Sequence, residues 1–156
     1  MISIDTIVDN NLWNKKIKKI EFFFNALTKF FPKKYRFIKK KVAITVLLSN
    51  NTNIKKLNKK FRNKNKTTDV LSFSSGKKID LKKSPYIGDI VVSYEFMNKP
   101  KPLGVLEFKS KVTKIFIHGF LHLLGYDHIK LKDFKVMLKE EKKIFKTIEK
   151  KIVKLV

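Results

Sequence analysis

All three histidines of this chain fall in one stretch, His118-Gly-Phe-Leu-His122-Leu-Leu-Gly-Tyr-Asp-His128. A neutral imidazole is the commonest protein ligand for zinc and related metals. His118 and His122 are four residues apart, so a helix places them one turn above each other on one face. Gly125 follows three residues later, where a helix readily ends in a left-handed residue that glycine adopts at little cost. Tyr126-Asp127 can then carry His128 back toward the first two. A single histidine on an apolar face is ordinarily a core residue; it is the spacing i, i+4, i+10 around a glycine bend that argues for a site. Three imidazoles leave one tetrahedral position open, the arrangement of a catalytic zinc. The chain has no cysteine, so a closed structural zinc site would need a carboxylate as its fourth ligand. Zinc is the expected ion, although three imidazoles equally suit nickel, copper, cobalt or iron.

The elements that must position these residues can be read from periodicity. Ile2-Ser-Ile-Asp5 alternates like a short strand. Trp13, Ile17, Ile20, Phe24, Leu27 and Phe31 step by threes and fours, which predicts one amphipathic helix stopped by Pro32. Val42–Leu48 is β-branched and bounded by turn formers, a strand. A short helix is expected over Ile54–Arg62, starting after an Asn53 cap. Asp69–Ser74 and Gly88–Ser93 read as strands, separated from their neighbours by polar loops, and Tyr94–Asn98 as a short helix. Pro100, Pro102 and Gly104 mark an irregular connection. A helix over about Glu107–Leu124 carries His118 and His122. Leu131, Phe134, Leu138, Phe145, Ile148, Ile152 and Leu155 predict a long C-terminal helix with that stripe facing the core. The expected fold is α+β: a single domain over residues 1–156, with a small mixed β-sheet of about four strands packed with about five helices. It would carry a zincin-like three-histidine metal site.

Composition narrows the setting. With 43% hydrophobic and 12% aromatic residues, the chain is expected to fold rather than stay disordered. The absence of cysteine rules out a disulfide framework and suits a reducing cytoplasm. Met1-Ile-Ser-Ile-Asp5 lacks the basic and apolar regions of a signal peptide. Val42–Leu48, the longest clean apolar run, is far too short to span a bilayer. A soluble cytoplasmic protein with no membrane partner is expected. The formal charge is +24, and only Arg36 and Arg62 among the 37 basic residues are arginine. Such a field draws polyanions such as RNA. Compositional drift in an AT-rich genome accounts for the lysine excess equally well, so charge permits RNA binding without establishing it.

A second stretch stands out, Leu57-Asn58 with Arg62, then Thr68-Asp69-Val70-Leu71-Ser72-Phe73. The planar fork of Arg62 can grip a phosphate bidentately, where lysine offers a point charge. Read together, the two stretches resemble the YbeY family of bacterial metal-dependent endoribonucleases. That family's hallmark, H-G-x-L-H-L-x-G-Y-D-H, matches His118–His128 at every specified position. Its L-N-x-x-x-R and T-D-V-L-S-F motifs match the upstream stretch. Gly88-Asp89-Ile90 matches its G-D-I strand, and Met137 with Glu140-Glu141 its methionine and glutamate pair. The resemblance runs from about Leu57 to Ile144. One departure is Thr67, where the family often has proline.

The resemblance implies a zinc-binding, single-strand-specific endoribonuclease, a hydrolase of RNA phosphodiester bonds. Its implied work is ribosomal RNA processing, above all 3′-end maturation of small-subunit rRNA, and ribosome quality control. Its implied partners are ribosomal RNA and the small ribosomal subunit. By position, His118, His122 and His128 would be the metal ligands and Arg62 the arginine near the site. Zinc lowers the pKa of bound water toward about 7 and polarises a phosphoryl oxygen; the nucleophile is either that water or the neighbouring RNA 2′-hydroxyl. Two rivals stand beside this. His122-x-x-Gly125-x-x-His128 is also the second half of the metallopeptidase pattern H-E-x-x-H-x-x-G-x-x-H, yet Gly119 occupies the place of the general-base glutamate. Loss of such a base removes on the order of a hundredfold in rate. The other rival is a non-catalytic ribosome-assembly factor whose metal only stabilises the fold. Three carboxylates lie near the motifs: Asp127 either orients a histidine or serves the turn, Asp69 and Asp89 could point toward the site, and Asp69 could equally cap a loop.

Overall fold

The period of two along Val42-Ala-Ile-Thr-Val-Leu-Leu48 sends Val42, Ile44, Val46 and Leu48 to one buried face of a central strand. In the computed structural model, which describes residues 1–155, that strand is β2 of a four-stranded sheet. The strands are β1 (Ile2–Val8), β2 (Val42–Ser49), β3 (Val70–Ser74) and β4 (Tyr86–Ser93). Their spatial order is β1-β2-β4-β3, with β1, β2 and β4 parallel and β3 antiparallel to β4. The sheet is mixed, as the sequence predicts. β1 runs three residues beyond the expected Asp5, because its parallel pairing with β2 continues from Ile2↔Val42 to Val8↔Leu48.

The helices are α1 (Leu12–Lys16), α2 (Ile20–Lys29), α3 (Asn51–Arg62), α4 (Tyr94–Met97), α5 (Val105–Leu123) and α6 (Leu131–Ile152), with a 3₁₀ turn at Lys33–Tyr35. The sixth helix arises because the single helix expected from Trp13 to Phe31 is two. Ile17 leaves the helical region at φ −130°, ψ 105°. The apolar positions were nonetheless read correctly, since Trp13, Ile17, Ile20, Phe24, Leu27 and Phe31 are all buried. Tertiary anchoring overrides local propensity here. The Trp13 indole N–H donates to the Ser49 carbonyl at 2.9 Å, which fixes α1 at the end of β2. For α3 the cap is Asn50 rather than Asn53: the Asn50 side chain accepts from the Asn53 N–H at 2.9 Å. Asn63 closes α3 in the left-handed conformation, φ 54°.

Helix α5 is the central support of the fold. It buries Phe108, Val112, Phe116, Ile117, Phe120, Leu121 and Leu123, with Phe24 and Phe31 edge-on or tilted against Phe116 and Phe120 at 5.2 and 5.1 Å. Gly119 is a point where α5 approaches the sheet closely. A Cβ there would meet Ile90 Cγ2 of β4 at 2.9 Å and Ser72 Oγ of β3 at 3.1 Å. A smaller cluster, Ile54, Leu71 and Val91, packs with Leu47, Leu57 and Phe73 and seats α3.

Helix α6 departs from its sequence reading. Its core face is Met137, Glu140, Ile144, Ile148 and Ile152. Of the expected stripe Ile148, Ile152 and Leu155 are buried, whereas Leu131 and Phe134 are 69% and 46% exposed and Leu138 and Phe145 are half-buried. The misreading has a simple origin: the buried Glu140 interrupts the apolar pattern of the true core face, so the neighbouring stripe looked more regular. Among the described residues no helix is long and apolar enough to cross a membrane.

Candidate metal centre

The final turns of α5 place His118 and His122 on one side of the helix. Gly125 then takes φ +96°, and its N–H closes on the His122 carbonyl at 2.9 Å, while the Tyr126 N–H reaches the Leu121 carbonyl at 3.0 Å. These bonds satisfy the last carbonyls of α5 and reverse the chain. His128 is returned to the other two, with ring centroids 5.3 Å from His118 and 4.8 Å from His122. One ligand atom from each of the three rings lies within 4.8 Å of the others.

The hydrogen bonds behind the rings fix which nitrogen faces inward. His122 Nδ1 lies 3.0 Å from the Tyr126 carbonyl oxygen, which can only accept, so Nδ1 carries the proton and Nε2 a lone pair. His118 Nδ1 lies 2.5 Å from Glu141 Oε1, and a neutral ring that donates to that carboxylate presents a bare Nε2. The two Nε2 atoms face each other at 3.0 Å. Opposed lone pairs repel at that separation, and a cation between them removes the conflict. Tetrahedral ligation at about 2.0–2.1 Å would set neighbouring nitrogens roughly 3.3 Å apart. The donor set therefore fits a borderline-soft divalent ion such as zinc. His122 has its pKa lowered by burial and by the neighbouring His118, which favours the neutral, ligating form.

Behind the rings, α6 supplies two adjacent carboxylates that point in different directions. Glu141 holds His118, forming the carboxylate–histidine pair that orients and strengthens metal-binding imidazoles. Glu140 is 8% exposed. It accepts from the Tyr35 hydroxyl, from Lys143 at 3.1 Å and from Lys34 at 3.5 Å. The Tyr35 and Tyr126 hydroxyls are 2.9 Å apart. The carboxylate is held below its ordinary pKa, chiefly by the Tyr35 hydrogen bond. Burial and the same bond push the Tyr35 hydroxyl up. This network ties the loop carrying Tyr126 and His128 to α6 and to the turn at Tyr35.

Arg62, at the end of α3, donates from Nη2 to the Ser72 carbonyl at 2.9 Å and lies with Cζ 5.7 Å from the Phe73 ring centroid. Ser72 Oγ in turn donates to the Gly119 carbonyl at 3.3 Å. The guanidinium is thereby fastened to the strand residue that touches α5 next to His118, and its remaining donors face solvent. The three aspartates do other work. Asp127 accepts from the His128 N–H at 2.6 Å within the turn, and Asp69 accepts from Val70 N–H at 2.8 Å and Thr68 Oγ1 at 3.2 Å, capping its own loop. Asp89 receives the Tyr86 hydroxyl within its own strand. Sequence reasoning noted the glutamate pair but gave it no role. Its signal was a buried-face position occupied by a carboxylate one turn away from apolar neighbours. A concavity at the N-terminal ends of β1 and β2, beside Met1, Asn25 and Ile38, holds none of these residues.

Comparison with known proteins identifies relatives of the whole chain. A model of the family described as Endoribonuclease YbeY matches residues 7–149. A protein named Endoribonuclease YbeY from Pelagibacter ubique is 68% identical over 152 residues, covering 97% of this chain and 99% of that relative. The protein of the same name from Fusobacterium nucleatum is 32% identical, covering 90% of this chain and 82% of its own length. The solution structure of TM1509 from Thermotoga maritima superimposes with a TM-score of 0.53 at 27% identity, covering 95% of this chain and 89% of that one. With the family model matching residues 7–149 and a 68% identical relative over nearly its whole length, the chain belongs to the YbeY family.

Proposed function

We propose that the protein is a metal-dependent endoribonuclease of the cytoplasm. It acts on single-stranded regions of ribosomal RNA, at the 3′ end of the small-subunit RNA and in ribosome quality control, with the small ribosomal subunit as partner. The observation that carries the reading is the pair of Nε2 atoms converging at 3.0 Å, with His128 beside them. The endoribonuclease name shared by the relatives supports the choice of RNA. His118, His122 and His128 would hold one Zn²⁺, which when bound supplies Lewis acidity and lowers the pKa of water.

The chain's own groups do the rest. Glu141 and the Tyr126 carbonyl fix the tautomers of His118 and His122, so both present lone pairs without reorganisation. Arg62 offers a fixed guanidinium fork to the scissile phosphate and offsets charge that develops on its oxygens. Its tie to Ser72 holds the base of that fork in place. The lysine field raises the local concentration of RNA. Gly119 speaks against a peptidase, because a glutamate at that position would drive its side chain into Ile90 and Ser72.

The test is metal analysis of tag-free protein coupled to cleavage of a precursor small-subunit RNA, with and without a chelator. Stoichiometric zinc and chelator-sensitive cleavage are expected. Unchanged cleavage by fully metal-free protein would sink the proposal. A 2′,3′-cyclic phosphate on the product end would assign the attack to the RNA 2′-hydroxyl rather than to water.

A further inference from the structure

Helix α6 is apolar on more than the face it buries. Beside the core face runs the second stripe of Leu131, Phe134, Leu138 and Phe145, displaced by roughly a quarter turn at about 100° per residue. It starts immediately after the site, since Ile129, next to His128, is 85% exposed and Leu131 69%. It then passes Glu141, the residue that holds His118. Leu138 and Phe145 continue it into a groove of about 490 Å³ between α5 and α6, floored by Ile117 and walled by Glu141. The stripe therefore runs from one metal-site histidine past the anchor of another and into a cleft.

One flank of this stripe is a row of lysines, Lys135, Lys139, Lys142 and Lys146. Among the described residues none of these four has a carboxylate oxygen within 4.0 Å. From the other side Lys114 lies 4.8 Å from the Phe145 ring centroid. Glu149 is the one carboxylate of the groove besides Glu141. A duplex hides its base faces, whereas an unpaired strand offers flat apolar faces along one side and phosphates along the other. A partner protein's apolar helix would cover the stripe but leave the lysine row facing nothing. Building on the RNA-cleavage reading above, we infer that the α6 stripe, running from Phe134 into the α5–α6 groove, seats the unpaired RNA on one side of the phosphate presented to the histidines. Phe134 is the stacking platform, and Lys142 and Lys146 neutralise phosphates. Selection of single strands then comes from this stripe rather than from the metal centre.

The measurement is fluorescence-anisotropy titration of a short unstructured RNA, and of a duplex of the same sequence, across a salt series. Phe134→Ala is expected to weaken single-strand binding roughly tenfold, with Phe134→Trp restoring it, because stacking on an aromatic face is lost and regained. Duplex binding should be unmoved. The pair Lys142→Gln with Lys146→Gln should reduce the slope of log K against log salt by about 1.4, two contacts at about 0.7 each. The pair Lys18→Gln with Lys19→Gln, ahead of α2, should leave that slope unchanged. Single-strand binding unaffected by Phe134→Ala overturns the inference, as does an equal change of slope from the two lysine pairs, which would mean a general field. Cleavage and binding fail separately. Wild-type protein that cleaves RNA while Phe134→Ala binds normally keeps the nuclease and loses the groove. Protein that shows the Phe134 effect but cleaves nothing when loaded with zinc keeps the groove and loses the nuclease.

Discussion

The sharpest consequence of the geometry concerns Glu141, whose carboxylate is 2.5 Å from His118 Nδ1. It does not touch the space between the three rings, so any effect of its removal must travel through the imidazole. Partners of this kind are worth about 10- to 100-fold in metal affinity, or about 1.4–2.8 kcal/mol at 1.4 kcal/mol per decade. The Glu141 side chain is 25% exposed, so solvent screens part of its charge and the lower half of that range applies. Glu141→Gln keeps an acceptor of the same shape but loses the ionic part of a charge-assisted bond, which is about half its strength; a fall of several-fold is expected. Glu141→Ala frees the ring to rotate and to take the other tautomer, and about 30-fold is expected. Competition against a chromophoric zinc chelator reads the affinity, and thermal melts of the metal-free variants show whether the fold is intact. Zinc affinity unchanged in Glu141→Ala, with an unchanged melt, would refute the argument that the carboxylate positions His118.

Gly119→Ala gains helix propensity of up to about 1 kcal/mol but drives a methyl to 2.9 Å from a branched side chain packed on the sheet, at about 1–3 kcal/mol; a net loss of about 1 kcal/mol is expected in urea unfolding, and a stabilised variant would mean that α5 can back away from β4. Glu140 has its pKa depressed below 4.5, so its contribution is fully present above that value and lost as pH falls through the lower folded-state value. Urea midpoints of the wild type should therefore decline on that acid limb, while Glu140→Gln, less stable at neutral pH, should show a flatter one; parallel limbs would remove Glu140 from the account. Arg62→Lys should cut kcat by about a hundredfold, as for loss of one well-placed donor, while the melting temperature hardly moves because the side chain is exposed. Retained kcat would take Arg62 out of the site.

The sheet was legible because its strands are short alternating or β-branched runs bounded by turn residues, so all four were found in place. The histidine turn was legible for a different reason: His118, His122 and Gly125 sit at local spacings whose geometry the backbone alone determines. What escaped the sequence was set by tertiary contact. The break at Ile17 costs little locally and is decided by Trp13 reaching Ser49. The true core face of α6 was hidden because Glu140 belongs to it, and a buried carboxylate is readable only once Tyr35 and Tyr126 are seen around it. Glu141 was invisible as an orienting group since 23 residues separate it from His118. Gly119 was read as a missing base; the structure adds that it is a close contact point between α5 and the sheet.

The same contacts bear on whether the metal is structural. The buried cluster that holds β1, β2, β4, α2, α5 and α6 together draws on Trp13, Phe23, Phe24, Phe116, Phe120 and Ile148 and includes none of the three histidines. The histidines sit at its margin, His118 and His122 half-buried and His128 exposed. The turn that brings His128 back is closed by its own backbone bonds and by the Tyr35–Tyr126–Glu140 network, independently of any ion. A site built this way should be preformed. Metal-free protein is then expected to unfold cooperatively, and saturating zinc at about 1,000 times its Kd to add about 4 kcal/mol by mass action. His118→Ala removes a half-buried ring and one ligand, so it should stay folded, keep its affinity for RNA within a few-fold, lose the zinc-dependent rise in melting temperature and lose cleavage. A non-catalytic assembly factor with a structural ion requires the opposite pattern, in which chelation or His118→Ala unfolds the chain and abolishes RNA binding with it. Melting curves and RNA titrations of that one variant, with and without zinc, separate the two.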